Sequence, residues 1–103
     1  TSTTLSVVAT DAALTRAQAK RVAMMAQDGL ARALYPVHTP LDGDIVFVAA
    51  TAARPLEDPL HGVAEVGTLA ANVLARAIAR GVYCATPLPF AGSLPSWRDR
   101  FGR

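Results

Sequence analysis

Thr1-Ser2-Thr3-Thr4-Leu5-Ser6-Val7-Val8-Ala9-Thr10-Asp11 sets a cluster of hydroxyls directly ahead of an apolar, β-branched run. Val7 and Val8 stand side by side instead of alternating with polar residues, so residues 4 to 10 read as an interior strand, apolar on both faces. Such a strand holds whatever stands at its head in a fixed place. A threonine at an amino terminus carries two reactive groups: a hydroxyl nucleophile and an α-amine, ordinarily of pKa about 7.7 to 8.0, that can take the hydroxyl proton near neutral pH. Thr1 is therefore the first candidate nucleophile, with its own α-amine as base. The plainer reading of the same residues is a frayed Ser/Thr-rich end.

Working outward, Ile45-Val46-Phe47-Val48-Ala49-Ala50-Thr51 has the same nearly continuous apolar character and predicts a second buried strand. Between the two, after a turn at Asp11 to Leu14, Thr15-Arg16-Ala17-Gln18 fits a capping box. Val22, Met25, Ala26, Gly29, Leu30 and Ala33 then recur at helical spacing until Pro36. Met24 and Met25 read as core filling, and Gly29 as either a close approach to a neighbouring element or a plain surface glycine. Residues 52 to 59 form a connector with Pro55 and Pro59. A second helix is predicted over 61–80, with Val63, Val66, Ala70, Val73, Leu74, Ala77 and Ile78 on one broad face and Gly81 as its stop. The chain is α/β. Thr86 to Arg103 holds three of the seven prolines, then Trp97 and three arginines; it reads as a disordered tail or as a segment that wraps a partner, anchored by Trp97 and Phe101.

The loop between the first helix and second strand, Tyr35-Pro36-Val37-His38-Thr39-Pro40-Leu41-Asp42-Gly43-Asp44, brings two carboxylates to the strand entrance. Asp-Gly is first a turn signal. The functional alternative is that Asp42 and Asp44 hold and polarise the ammonium of the nucleophile, an electrostatic task for acids beside a polar site. His38, between prolines, reads as a hydrogen-bonded loop residue, and His61 as a surface or capping residue. The set is too sparse for a metal centre, and no metal or cofactor is expected.

Of the 103 residues 51% are hydrophobic and 17% charged, against about 25% charged in an average soluble domain. So much apolar surface calls for a second chain to cover part of it. No stretch reaches the roughly 18 unbroken apolar residues of a membrane span, and a net charge of +2 with scattered basic residues gives no footprint for nucleic acid. Neither a membrane nor a nucleic-acid partner is expected. The single cysteine, Cys84, rules out an internal disulfide and fits a reducing, cytoplasmic compartment. The first residues lack the basic region of a signal peptide.

Three segments together resemble a known family: Thr3-Thr4-Leu5-Ser6-Val7-Val8-Ala9-Thr10-Asp11-Ala12, Met25-Ala26-Gln27-Asp28-Gly29-Leu30-Ala31-Arg32-Ala33, and Pro36-Val37-His38-Thr39-Pro40-Leu41-Asp42-Gly43-Asp44. They are similar to the small subunit of the DmpA-type family, which includes L-aminopeptidase/D-esterases, β-peptidyl aminopeptidases and a nylon-oligomer hydrolase. The likeness covers roughly residues 3 to 91 and divides the chain into a small-subunit part of a hydrolase domain, 1–91, and an extension, 92–103. It implies a precursor that cleaves itself, commonly after Asn or Gly, to free an N-terminal Ser or Thr. It also implies that small and large subunits share a four-layer α-β-β-α sandwich, of the architecture seen in Ntn hydrolases, and assemble as a tetramer of heterodimers. The two family aspartates match Asp42 and Asp44; a lysine and an asparagine would come from the larger subunit. By motif the nucleophile falls on Thr3, whereas the terminal-amine chemistry favours Thr1.

The expected activity is that of a self-processed N-terminal nucleophile amidohydrolase or aminopeptidase, cleaving amide or ester bonds of amino-acid derivatives or small peptides through a threonine acyl-enzyme. Two alternatives stand beside it: an acyltransferase of the ornithine acetyltransferase type, and a non-catalytic α/β interaction subunit.

Overall fold

The computed structural model describes residues 2–102; the candidate nucleophile Thr1 lies outside the described residues. The order is β1 (Leu5–Ala12), α1 (Arg16–Ala33), β2 (Ile45–Arg54), α2 (Pro59–Cys84) and α3 (Trp97–Phe101). β1 and β2 pair in parallel as a two-stranded sheet. A parallel pair needs a crossover, and α1 supplies it.

Local chemistry sets the helix starts. The Thr15 hydroxyl accepts from the Gln18 N–H at 3.1 Å, and the Gln18 side chain accepts from the Thr15 N–H at 2.8 Å. This is the predicted capping box, which satisfies donors the first turn leaves free. α1 ends at Ala33, with Leu34 already extended, ahead of the Tyr35-Pro36 step that disfavours helix. Asp58 caps α2, and Pro59 opens it, a position where a missing N–H costs nothing.

The two helices pack on each other, α1 also covering β2 and α2 reaching β1. Val22, Ala26, Leu30, Val46, Ala70 and Leu74 form the core between them. Small residues make the approach close. Gly29 is buried against the Ala71 carbonyl and Leu74, so that any methyl there would collide, and Gly67 makes room for Met25. Of the two readings of Gly29, close approach is the observed one.

The structure departs from the sequence-based expectation in four places. α2 does not stop at Gly81 but runs on to Cys84, with Ala85 as its cap; the Tyr83 ring meets Trp97 there, a contact that helps offset a glycine cost of about 1 kcal/mol. In the tail, where no regular element is expected from sequence, Trp97–Phe101 is helical. Ser96 and Asp99 cap a short helix whose Trp97 ring lies 5.9 Å from Tyr83 and 5.2 Å from Phe101. β1 and β2 each run further than read, to Ala12 and Arg54, held there by an Ala13 N–H to Arg54 carbonyl bond of 2.7 Å and an Arg54–Asp11 ion pair of 2.9 Å. Finally, the strands are apolar on both faces yet covered on one: Leu5 is 74% exposed, Val7 69% and Phe47 55%. By length and hydropathy alone α2 could cross a bilayer; its Gly67, Ala70, Ala71 and Leu74 are buried inside the protein.

Candidate active site

The heads of the two strands meet, and the register decides what meets what. Leu5 pairs with Ile45 and Ser6 with Val46. The same parallel alignment continues upstream as a bridge between Ser2 and Asp42. Thr3 therefore lies abreast of Gly43, and Thr4 abreast of Asp44. Three bonds fix this end: the Gly43 N–H donates to the Ser2 carbonyl at 2.8 Å, the Ile45 N–H to the Thr4 carbonyl at 3.0 Å, and the Thr4 N–H to Oδ1 of Asp44 at 2.8 Å.

Strand alternation divides the residues between two faces. Ser2, Thr4, Asp42 and Asp44 share the helix-covered side, where with Tyr35 and Thr39 they border a cleft of about 370 Å³. Thr3 is on the uncovered side: its Oγ1 lies 2.8 Å from where a Cβ on Gly43 would sit. Gly43 is thus the residue that leaves room for the hydroxyl. A larger groove, about 540 Å³, opens between the C-terminal ends of α1 and α2 and Trp97, but no carboxylate borders it.

Asp42 is held by its own loop. The Thr39 N–H and hydroxyl both donate to its Oδ2, at 2.9 and 2.8 Å, while the Asp42 N–H returns a bond to the Thr39 carbonyl at 3.0 Å. The backbone and then the side-chain bond from Thr39, with a smaller contribution from His38, hold this carboxyl below its ordinary value of 3.8 against a modest opposing effect of burial. Asp44 is more enclosed, its side chain 6% exposed, with Nδ1 of His38 at 3.9 Å. His38 itself adopts a left-handed backbone, φ 57°. His61 lies far along the chain from this cluster, in the first turn of α2, where its N–H donates to the capping Asp58 and its ring nitrogen Nδ1 lies 2.7 Å from the same carboxylate. Among the described residues no group of three His, Cys, Asp or Glu side chains is placed to hold a metal ion.

Of the residues singled out from sequence, the structure brings Thr3, Asp42 and Asp44 to one strand entrance. The carboxylates bind the backbone of Thr4 and the Thr39 turn, and no bond from either reaches Thr3. Sequence reasoning overlooked Thr39 and the Gly43 N–H. The first had a visible signal, since Thr-x-x-Asp is a spacing at which an acid can accept from the backbone three residues earlier. The second had none, because a ladder bond depends on register.

The profile of Peptidase family S58 matches residues 1–93. Proteins named uncharacterized aminopeptidase from Mycobacterium tuberculosis and Mycobacterium bovis are each 44% identical over 109 aligned positions, covering 96% of this chain and 31% of their own length. One of the same description from Mycobacterium leprae is 48% identical over 93 positions, covering 81% of this chain and 26% of its own. The chain thus spans about a third of the length of the curated relatives it matches.

Proposed function

The chain belongs to Peptidase family S58, and from that premise we propose that it is the nucleophile-bearing part of a self-processed amidohydrolase, an aminopeptidase acting on small peptides or amino-acid amides. The nucleophile in this reading is Thr3. What supports it is one observation: Thr3 stands at the head of β1 with its hydroxyl over Gly43, the residue that separates the two aspartates in the loop. Once the bond to Ser2 is cut, the α-amine of Thr3 takes the proton from its own hydroxyl as that oxygen attacks the substrate carbonyl. The acyl group passes to the threonine oxygen, the amine product leaves, and water hydrolyses the ester.

Asp42 and Asp44 are assigned to positioning. Asp44 fixes the backbone immediately after the nucleophile, and Asp42 closes the turn that sets the strand register at Gly43. The uncovered sheet face, with Leu5, Val7, Ile45 and Phe47, fits a second sheet. We assign that sheet to the remaining portion of a longer precursor, which would complete an α-β-β-α sandwich, contribute a lysine and an asparagine, and assemble as a tetramer of heterodimers.

The test is the intact mass of the full-length gene product under denaturing conditions, with its hydrolysis of an amino-acid p-nitroanilide. The expected products are a chain starting at Thr3 and measurable turnover, both lost in Thr3→Ala and partly kept in Thr3→Ser. A chain starting at Thr1, lost in Thr1→Ala, would move the nucleophile two residues upstream. Processing and turnover that survive both substitutions would refute a threonine nucleophile.

A further inference from the structure

The Gly43 N–H bonds to the carbonyl oxygen of Ser2, and that carbonyl belongs to the peptide bond joining Ser2 to Thr3. We infer that the backbone N–H of Gly43 is the oxyanion donor for self-cleavage of the Ser2–Thr3 bond and, once Ser2 has left, for the substrate carbonyl that takes its place. The inference rests on Thr3 as the nucleophile and adds the group that stabilises the charge its attack creates.

The geometry suits the step. In self-cleavage Oγ1 of Thr3 bonds to the Ser2 carbonyl carbon, closing a ring through Cβ, Cα and N that the covalent structure of threonine itself allows. The C–N bond then breaks, and the nitrogen gains the proton that the hydroxyl gives up. Water hydrolyses the resulting ester, leaving a carboxyl group on Ser2 and returning the hydroxyl to Thr3, whose amine is now free. Negative charge builds on the Ser2 carbonyl oxygen during the attack, and a donor already 2.8 Å away needs no reorganisation to meet it. A trans peptide points its C=O and N–H in opposite directions. The carbonyl therefore faces β2, while the leaving nitrogen faces the open edge of β1.

Gly43 serves twice. Its N–H reaches the carbonyl from β2, and its missing side chain leaves Oγ1 of Thr3 in the space a Cβ would contest at 2.8 Å. The flanking carboxylates hold the donor still. Asp42 is tied to Thr39 and Asp44 to the Thr4 N–H, so the amide of Gly43 lies between two anchored residues. After cleavage the acyl carbon of a bound substrate occupies the position of the Ser2 carbonyl carbon, and the same N–H is vacant for its oxygen.

The experiment is cell-free translation of the full-length precursor with glycolic acid in place of Gly43, which exchanges the N–H for an ester oxygen and keeps the shape. Processing is followed by intact mass, beside the unaltered precursor and Thr3→Ala. The expected result is cleavage slowed roughly 10²- to 10³-fold, the usual loss for one oxyanion donor, with added hydroxylamine failing to restore it because the acyl shift itself is impaired. Thermal unfolding in the uncut Thr3→Ala background, with and without the ester, separates this from a loss of fold. Cleavage at the unaltered rate in the ester variant would overturn the role of Gly43 while leaving Thr3 in place. Cleavage that persists in Thr3→Ala would overturn both. If the ester variant does not fold, the carbon-13 carbonyl shift of Ser2 in the uncut Thr3→Ala precursor reads the same contact. A strongly polarised carbonyl supports the role, and one with the value of a solvated peptide refutes it.

Discussion

Asp42 and Asp44 are two residues apart, yet they are held by different means and respond differently to change. Asp42 accepts from both the N–H and the hydroxyl of Thr39, which lowers its pKa beneath 3.8. A lowered folded-state pKa means that the ionised form favours the folded loop. The stabilisation is complete above the ordinary value and is lost as pH falls through the lowered one. Titration of the Asp42 carboxyl by NMR should give a midpoint below 3.8, and Thr39→Val should raise it only partway, since the larger backbone bond remains. Asp44 has a different job. Its carboxylate takes the Thr4 N–H inside a partly buried site, so Asp44→Ala strands that donor and should cost roughly 1–3 kcal/mol in chemical denaturation. Asp44→Asn keeps an acceptor and should cost less.

Elements respond to glycine according to what lies beside it. Gly29 sits where α1 meets the backbone of α2, with the Ala71 carbonyl in the way of any added methyl. Gly29→Ala should force the helices apart and cost about 1–3 kcal/mol. Gly81 lies in the same helix pair but has nothing within 4 Å of an added Cβ. Gly81→Ala should therefore stabilise α2 by roughly 0.5–1 kcal/mol. Comparing the two melting curves tests whether α2 passes through Gly81 as a continuous helix, which propensity alone does not reveal.

At the scale of the molecule, the sheet has one face under the helix pair and one face bare. Leu5, Val7 and Phe47 are more than half exposed there, with Ile45 beside them at 39%, a contiguous apolar patch of the kind that marks an interaction surface. If the rest of the precursor covers this face, Phe47→Asp in the full-length protein should abolish co-elution of the two processed chains on size exclusion. An exposed substitution on the far side of α1, such as Lys20→Ala, should leave co-elution unchanged. Co-elution of the Phe47→Asp chains would place the partner elsewhere.

The sequence by itself determined the order of the two strands and the two long helices, though not where each of them ends or the short C-terminal helix. The Thr15–Gln18 box and the apolar runs of β1 and β2 are local signals, each set by contacts within a few residues, and they lie where they were read except at the strand ends; Asp42-Gly43-Asp44, read first as a turn, instead continues the parallel pairing, the turn falling just before it at Pro40 and Leu41. Fold class followed from their order, and the resemblance of three segments to the DmpA-type family is matched by the family profile. Tertiary structure decided the rest. Residues four dozen or fewer apart in sequence had to find a register, and in a sheet a slip of one residue exchanges every side chain between faces. That register put Thr3 over Gly43 and turned the carboxylates toward the helices. It also decided that one face of two strands, apolar on both, is left uncovered, because the two helices both pack on the other side.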